Sequence, residues 1–525
     1  MSVIETPEQT RTTSLRTVAG PMKTGRAEIV DRNGVLLATS LGTASLYANP
    51  QKVPDAAVAA RRLIGVLPER SEAELTALLS SDKTFVWVER NLTPREQYEV
   101  NRLGIPGLDF QEEDRRVYPN GPLAAHTLGF TNIDNVGLAG IEQSFDESLK
   151  TRRDPLTLSL DIRVQQVLRH ELATQIDKFG AIGGGGIVLD VTTGEVVAMV
   201  SLPDFDPNAP AGADEEERFN RMTLGVYELG SVFKIFNHAM ALESGVATLA
   251  SSYDATKPIR IGRFTISDYH AEKRWLTLPE IFTHSSNIGS AKMALDVGGT
   301  AQKKFLSDLG LLRRTSIELP EQGAPMYPST WREVNTMTIA FGHGIAVSPL
   351  HLATAVAATV NGGILHPPTL IRRAPGAAIP GTRVLSATTS QQMRQLLRLV
   401  VADGTGRNAE APGYFVGGKT GTAEKQVNGR YKRKALISSF VAAFPIHAPR
   451  YVVLALLDEP KGIKETYGYA TGGWTAAPVV SRVIARAAPL LGLAPVDKDA
   501  PEIINALAGT GVAALEQRRR RVASN

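Results

Sequence analysis

Residues 230–245, GSVFKIFNHAMALESG, carry the reading on which the fold of this chain turns. Apolar positions recur there at helical spacing, Pro is absent, and Gly245 stands where a helix terminator belongs. The pattern predicts a helix opening at Ser231, with that serine as its N-cap. Lys234, three residues on, then lies one turn away on the face that carries the Ser231 hydroxyl. A serine hydroxyl is nearly inert until a neighbour takes its proton, and an amine can take it only when neutral. Burial of Lys234 among Val232, Phe233, Ile235 and Phe236, near a second cation, disfavours the charged form. The plainer reading is a capping serine and a surface lysine, since Ser-x-x-Lys is common by chance. What stands elsewhere in the chain decides between them.

Two further motifs follow in order. Ser285-Ser286-Asn287 puts a hydroxyl and a carboxamide two residues apart, where a tight turn presents both to one cleft. Ser285 can pass a proton from Lys234 to a leaving amine, and Asn287 can hold the lysine and a substrate amide. Alone, the triplet is an ordinary helix-capping Ser/Asn pair. Lys419-Thr420-Gly421-Thr422, inside VGGKTGTAEK, reads as a strand with Lys419 and Gly421 on one side and the threonines on the other. The threonine hydroxyls and Lys419 suit a carboxylate, and Gly421 lets a bound peptide lie close to the strand. A backbone donor of this strand edge, with that of Ser231, makes an oxyanion hole worth about 2.7–4 kcal/mol of barrier per donor. A solvated strand edge is the plain alternative.

The same segment offers a rival. Gly413 to Thr420, GYFVGGKT, fits the phosphate-loop pattern, and Tyr451 to Asp458, YVVLALLD, resembles the strand that ends in a magnesium-binding Asp. A nucleotide loop must follow a strand and open a helix. Here TGRNAEAP precedes it, and a strand–turn–strand pattern around Asn428-Gly429 follows, so the match is set aside. The nine histidines are scattered with no metal spacing. His284 and His343 are placed to line a cleft, although packing or capping explains both. Asp214 to Glu217 reads as a solvated loop.

Outward from these motifs, residues 161–179 form an amphipathic helix, and glycines 183–186 lead into strands that turn at Thr193-Gly194. Helices then alternate with strand pairs to about residue 490. Toward the N-terminus, residues 1–24 read as an unstructured tail, Asn33-Gly34 turns a hairpin, and 55–105 is helix-rich. A Gly- and Pro-punctuated section runs to Pro155, and a basic tail occupies 491–525. The expected division is therefore 25–155 and 156–490. Net charge is +4 from 57 basic and 53 acidic residues, with no aromatic–basic alternation, which argues against a nucleic-acid partner. Cysteine is absent, which excludes disulfides and thiolate chemistry. No segment reaches the roughly 18–20 apolar residues that span a bilayer, and the first 24 residues lack the apolar centre of an export signal.

Taken together, Ser231-x-x-Lys234, Ser285-x-Asn287 and Lys419-Thr420-Gly421-Thr422 resemble the class B penicillin-binding proteins, the division-specific subgroup above all. Similar segments include EIVDRNGVLLA (28–38), RRVYPNGPLAAHTLGF (115–130), GLAGIEQSFDESL (137–149), LPDFDPN (202–208) and GIAVSPLHLA (344–353). The resemblance covers about residues 25–485. It implies a multidomain α+β and α/β chain, with an elongated N-terminal pedestal and a penicillin-binding transpeptidase domain built on a five-stranded antiparallel sheet flanked by helices. It also implies a serine D,D-transpeptidase of septal wall synthesis. Ser231 would attack the carbonyl between the terminal D-alanines of a stem peptide, Lys234 would be the base and Ser285 the relay. Asn287 would position the donor peptide. Lys419, Thr420 and Thr422 would bind its carboxylate beside Gly421, with the Thr422 N–H in the oxyanion hole. β-Lactams would acylate Ser231 by the same route. No metal or cofactor is implied. The implied partners are stem peptides ending in D-Ala-D-Ala, a membrane glycan polymerase and other division proteins, and the implied place is the periplasmic face of the inner membrane. The family's N-terminal membrane helix has no counterpart here, which leaves a misplaced start, a truncated chain or an unanchored paralogue. A non-catalytic division scaffold is the alternative from another class. A β-lactamase is disfavoured because no Glu-x-x-x-Asn loop stands between the second and third motifs.

Overall fold

A computed structural model describes residues 25–497 except 263, 428 and 429. The tail expected over 1–24, most of that expected over 491–525 and the tip of the Asn428-Gly429 turn lie outside the described residues. Strand β1 (Ile29–Val30) turns into β2 (Leu36–Ala48). Asp31 closes the turn, its Oδ1 accepting from the Asn33 and Val35 amides at 2.7 and 2.9 Å, and Gly34 supplies the positive φ of +83°. Helices α1 (Ala56–Ile64) and α2 (Glu72–Leu79) come next. Then come β3 (Val86–Leu92), α3 (Pro94–Arg102) and β4 (Leu108–Val117). The stretch expected to be helix-rich thus also holds a strand. There Val86, Val88 and Leu92 point into the core between α1 and α2 while Trp87 and Glu89 face outward, a period-two pattern too short to stand out from its helical flanks.

After α4 (Gly140–Ser144), β5 (Leu156–Thr157) pairs parallel to β1, so the first sheet takes its last strand from beyond the boundary expected at 155. Glu142 of α4 ties these pieces together. Fully buried, it accepts from Arg26 Nε at 2.5 Å and Arg116 Nε at 2.7 Å, and both arginines are buried too. Removing one member of a buried ion network strands the others without solvent. Glu142→Ala is therefore expected to destabilise the protein by about 3–5 kcal/mol, read as a lowered urea midpoint.

The second unit begins with α5 (Ile162–Phe179), the helix its apolar stripe predicts, and the structure adds an Asp161 cap and a closing Gly180 in the left-handed conformation. Strands β6 (Gly183–Asp190) and β7 (Val196–Leu202) follow. Glycines 183–186 are part of β6 and not a lead-in to it. A Cβ on Gly185 would meet Met222 Cε at 2.5 Å and one on Gly186 would meet Leu168 Cδ1 at 2.9 Å, so neither face of the strand has room for a side chain. Asp214 caps the single helical turn Glu215–Arg218 where a loop was expected, because its carboxylate accepts from the Glu217 amide. Then come α6 (Lys234–Glu243), α7 (Leu278–Thr283), α8 (Asn287–Val297), α9 (Pro349–Val360) and α10 (Ala387–Asp403). Strands β8 (Gly417–Val427), β9 (Arg430–Phe444) and β10 (Tyr451–Asp458) and the helix α11 (Ala476–Leu490) complete the unit.

The second sheet has five strands in the order β8-β9-β10-β6-β7, every pair antiparallel. Its two faces bury separate clusters. Leu168 and Leu172 of α5 and Val480 and Ile484 of α11 pack on Val188 and Phe440. On the other face Phe236 of α6, Val356 of α9 and Leu397 of α10 join Ile187 and Leu454. Strand β8 is left as an edge of this sheet.

Candidate active site

The three motifs converge where α6, the α7–α8 junction and β8 meet. Ser231 occupies a 3-10 turn, Gly230–Phe233, that leads into α6, and it is not the N-cap the sequence suggested. The reason is tertiary. Gly230 has φ +61°, and a Cβ there would lie 2.4 Å from the Thr422 carbonyl oxygen, so the turn is pressed against β8. The serine side chain is thereby turned to Lys234 Nζ, 3.1 Å away, instead of to its own helix end.

Lys234 is fully buried, as its neighbours implied. Its Nζ lies 2.5 Å from the Ser285 carbonyl oxygen, 2.9 Å from Ser285 Oγ and 2.7 Å from Asn287 Oδ1. Ser285 makes both contacts because its φ is +61°, a left-handed conformation that costs a non-glycine residue about 1–3 kcal/mol. Lys419, also fully buried, reaches the same Ser285 Oγ at 3.1 Å. One hydroxyl is thus shared by two amines, which is the arrangement a proton relay needs. Burial first, and then the Lys419 charge, hold Lys234 well below the ordinary lysine range. Burial brings Lys419 down to about 7.

The Lys419 amine curls back along the strand to within 3.4 Å of Thr420 Oγ1, so the two side chains meet despite strand alternation, and that hydroxyl also lies 3.0 Å from the Thr405 hydroxyl. Thr422 Oγ1 accepts from the Gly472 amide at 3.1 Å, so its hydroxyl is engaged by that loop. Gly421 is explained by the protein itself. A Cβ there would meet the Leu229 carbonyl oxygen at 2.5 Å and Ser439 Oγ at 2.4 Å, so the residue admits the nucleophile turn to the strand. The phosphate-loop match fails on structure as well as context, because Lys419 and Thr420 lie inside a strand and no helix opens behind them.

Several residues that shape the site carried no local signal. Asp268 accepts from Ser286 Oγ at 2.7 Å and from the amides of Asn287 and Ile288 at 2.6 and 3.0 Å, closing the N-terminus of α8. The Ser267 carbonyl accepts from Asn287 Nδ2 at 3.0 Å, which fixes the amide with Oδ1 toward Lys234. Ser286 is the capping residue the plain reading expected, bonding the Gly289 amide, while Ser285 and Asn287 on either side of it face the lysine. Asp268→Asn replaces one acceptor oxygen by a donor. It is expected to slow acylation of Ser231 by about tenfold or more in a protein that stays folded, measured as the second-order rate of covalent labelling. His284 is turned away toward Glu272, 3.8 Å off, with its side chain 41% exposed. His343 stands near Lys234, whose charge adds to burial in lowering its basicity.

This geometry suits acyl transfer. A neutral Lys234 can take the Ser231 proton, Ser285 can hand it on, and the Lys419 ammonium can hold an anionic substrate end.

Two family models match the chain: the penicillin binding protein transpeptidase domain over residues 184–485 and the penicillin-binding protein dimerisation domain over 21–161. The chain is 43% identical over 481 residues to the probable peptidoglycan D,D-transpeptidase FtsI of Caulobacter vibrioides, covering 89% of this chain and 82% of that protein. It is 30% identical over 500 residues to the peptidoglycan D,D-transpeptidase FtsI of Escherichia coli K12, covering 88% and 83%. Among solved structures it resembles penicillin binding protein 3 of Mycobacterium tuberculosis complexed with aztreonam. The TM-score there is 0.71 at 25% identity, over 90% of this chain and 97% of that one.

Proposed function

Because the chain belongs to the penicillin-binding-protein transpeptidase family, we propose that it cross-links peptidoglycan stem peptides through an acyl-enzyme on Ser231, in the wall made at division. The observation that carries this reading is a buried Lys234 amine in contact with Ser231, Ser285 and Asn287 at once. The amine takes the Ser231 proton as Oγ attacks the carbonyl between two terminal D-alanines. The bond to the last D-alanine breaks, and its nitrogen leaves with the proton passed through Ser285. Lys419 and the hydroxyls of Thr420 and Thr422 hold the terminal carboxylate, and Asn287 aligns the donor amide. Gly421 lets the turn carrying Ser231 close on the strand, where the Thr422 and Ser231 amides stabilise the oxyanion. An amine of a second stem then attacks the ester, forms the cross-link and frees Ser231.

β-Lactams take the place of the donor and acylate the same oxygen. The substrate lies outside the cytoplasmic membrane, so the enzyme works at that membrane's outer face, beside a glycan polymerase and other division proteins. Among the described residues no helix is long and apolar enough to cross a membrane.

The test is incubation of the full chain with a fluorescent penicillin, followed by intact-mass measurement. A stable single adduct supports the acyl-enzyme, and release of D-alanine with a cross-linked dimer from two stem peptides supports the transfer. Folded protein that takes no label removes the enzyme reading and leaves the scaffold.

A further inference from the structure

A strand at the edge of a sheet is hydrogen-bonded on one side, so its position rests on side-chain contacts more than that of an inner strand does. β8 is such an edge, and it is poor in side chains where the chemistry lies. From Gly417 to Glu424 it carries three glycines, and Ala423 is its one apolar side chain. Lys419 and Thr422 still have to stand at fixed distances from Ser231 and Ser285 for a donor to react. A tie beyond the ladder is needed to keep them there.

Lys425 stands three residues after Thr422. Glu424 pairs with Leu436 on β9 but Gln426 pairs with Tyr431, so Lys425 lies in a break of the register. Breaks of this kind re-aim a side chain. The Lys425 amine reaches the end of β10, 2.8 Å from Asp458 Oδ1 and 3.0 Å from Glu459 Oε1. In the order β8-β9-β10 those two strands are not hydrogen-bonded neighbours, so the contact joins the edge strand to the inside of the sheet.

The receiving end is itself held in place. Glu459 has φ +53°, a strained conformation for a residue with a side chain. Its amide donates to the Leu436 carbonyl oxygen at 2.8 Å, which ties it to β9 at the point where the register breaks. Exposed ion pairs contribute little, but the Lys425, Asp458 and Glu459 side chains are only 22%, 7% and 24% exposed. Asp458 Oδ2 also lies 4.0 Å from Arg221 Nε, and Glu459 Oε2 lies 3.7 Å from Lys432 Nζ. Both carboxylates thus sit among cations, with Lys425 between them.

We propose that Lys425 is a positioning residue, which clips the catalytic stretch of β8 to the end of β10 and so keeps Lys419 and Thr422 in register with Ser231. This rests on the transpeptidase reading given above, in which β8 receives the donor.

The experiment uses the full chain and two measurements, the second-order rate of Ser231 acylation by a penicillin and hydrogen–deuterium exchange along the backbone. Lys425→Met keeps most of the stem and removes the charge. It is expected to slow acylation by about tenfold. Exchange across residues 419–424 should quicken, while exchange in α5 and β6 stays as in wild type. Lys425→Arg keeps the charge and is expected to hold the rate within about twofold of wild type. Glu459→Gln weakens one of the two contacts and is expected to slow acylation by about threefold, which carries the test should Lys425→Met not fold. A folded Lys425→Met acylated at the wild-type rate overturns the inference, as does a Lys425→Arg as slow as Lys425→Met. Where Lys425→Met does not fold, a Glu459→Gln with wild-type rate and exchange overturns it. A wild type that takes no penicillin removes the transpeptidase reading, and the inference with it.

Discussion

Ser231→Ala is expected to abolish covalent labelling by a penicillin, with a fall in acylation rate on the order of 10^4- to 10^6-fold. The loss follows from geometry. Ser231 Oγ is the hydroxyl set on the turn before α6, 3.1 Å from the Lys234 amine. Ser285, the other hydroxyl on that amine, is engaged at 2.9 and 3.1 Å by both lysines. Its segment is anchored at the α8 N-terminus by Asp268, so it does not move into the vacant position. Removing one side-chain oxygen from the turn leaves the packing of Val232 and Phe233 intact, so the variant is expected to fold with an unchanged circular-dichroism spectrum and nearly unchanged stability. Intact-mass spectrometry after incubation with the β-lactam gives the readout. An adduct on folded Ser231→Ala overturns the assignment, and peptide mapping then identifies the true nucleophile.

Lys234→Met is expected to give the second-largest loss, about 10^2- to 10^4-fold in acylation rate, the range for removing a general base. Methionine fills the space among Phe233 and Phe236 and takes away both the base and the donor that meets Ser285 and Asn287. The wild-type pH profile should carry the same signature. Lys234 must be neutral to act, and burial together with Lys419 lowers its pKa well below 10.5, so the rate rises with pH along an acid limb far below the ordinary lysine range. Lys419 must stay charged to hold a carboxylate. Burial puts its pKa at about 7, so the rate falls again as pH passes that region, and a bound carboxylate moves this limb upward. The two lysines share Ser285, so the limbs of the bell belong to the pair. Arginine does not lose its proton in this range. Lys419→Arg should therefore lose the alkaline limb while keeping the acid one, measured as acylation rate against pH. An alkaline limb that survives in this variant assigns it to another group.

Much of this site was legible in one dimension. Ser231 and Lys234 are one turn apart on one segment, and their relation needs only the helical repeat. The apolar residues around Lys234 announce its burial, and burial is the first cause of its lowered basicity, ahead of the Lys419 charge. The strand alternation of Lys419 to Thr422 likewise follows from a period of two. Helix α5 was equally plain, because an apolar stripe at helical spacing is local chemistry.

The misreadings share a cause. Ser231 was taken for a helix cap, yet Gly230 bends the chain against Thr422, a residue remote in sequence. Glycines 183–186 were read as leading into a strand and not as part of it, since a strand without side chains becomes visible only once Leu168 and Met222 cover its faces. Gly421 suggested room for a ligand, whereas the space is taken by Leu229 and Ser439. Strand β3 was hidden by its length and its helical neighbours.

The sequence by itself singled out the proposed nucleophile, base and anion holder, because these are residue types written in short motifs whose internal geometry the backbone dictates. Only the tertiary structure decided how those motifs face one another, how Ser285 comes to stand between two amines, and that Asp268 closes the helix end beside them. Those relations depend on contacts between segments far apart in the chain, and a contact of that kind leaves no periodic trace in either partner.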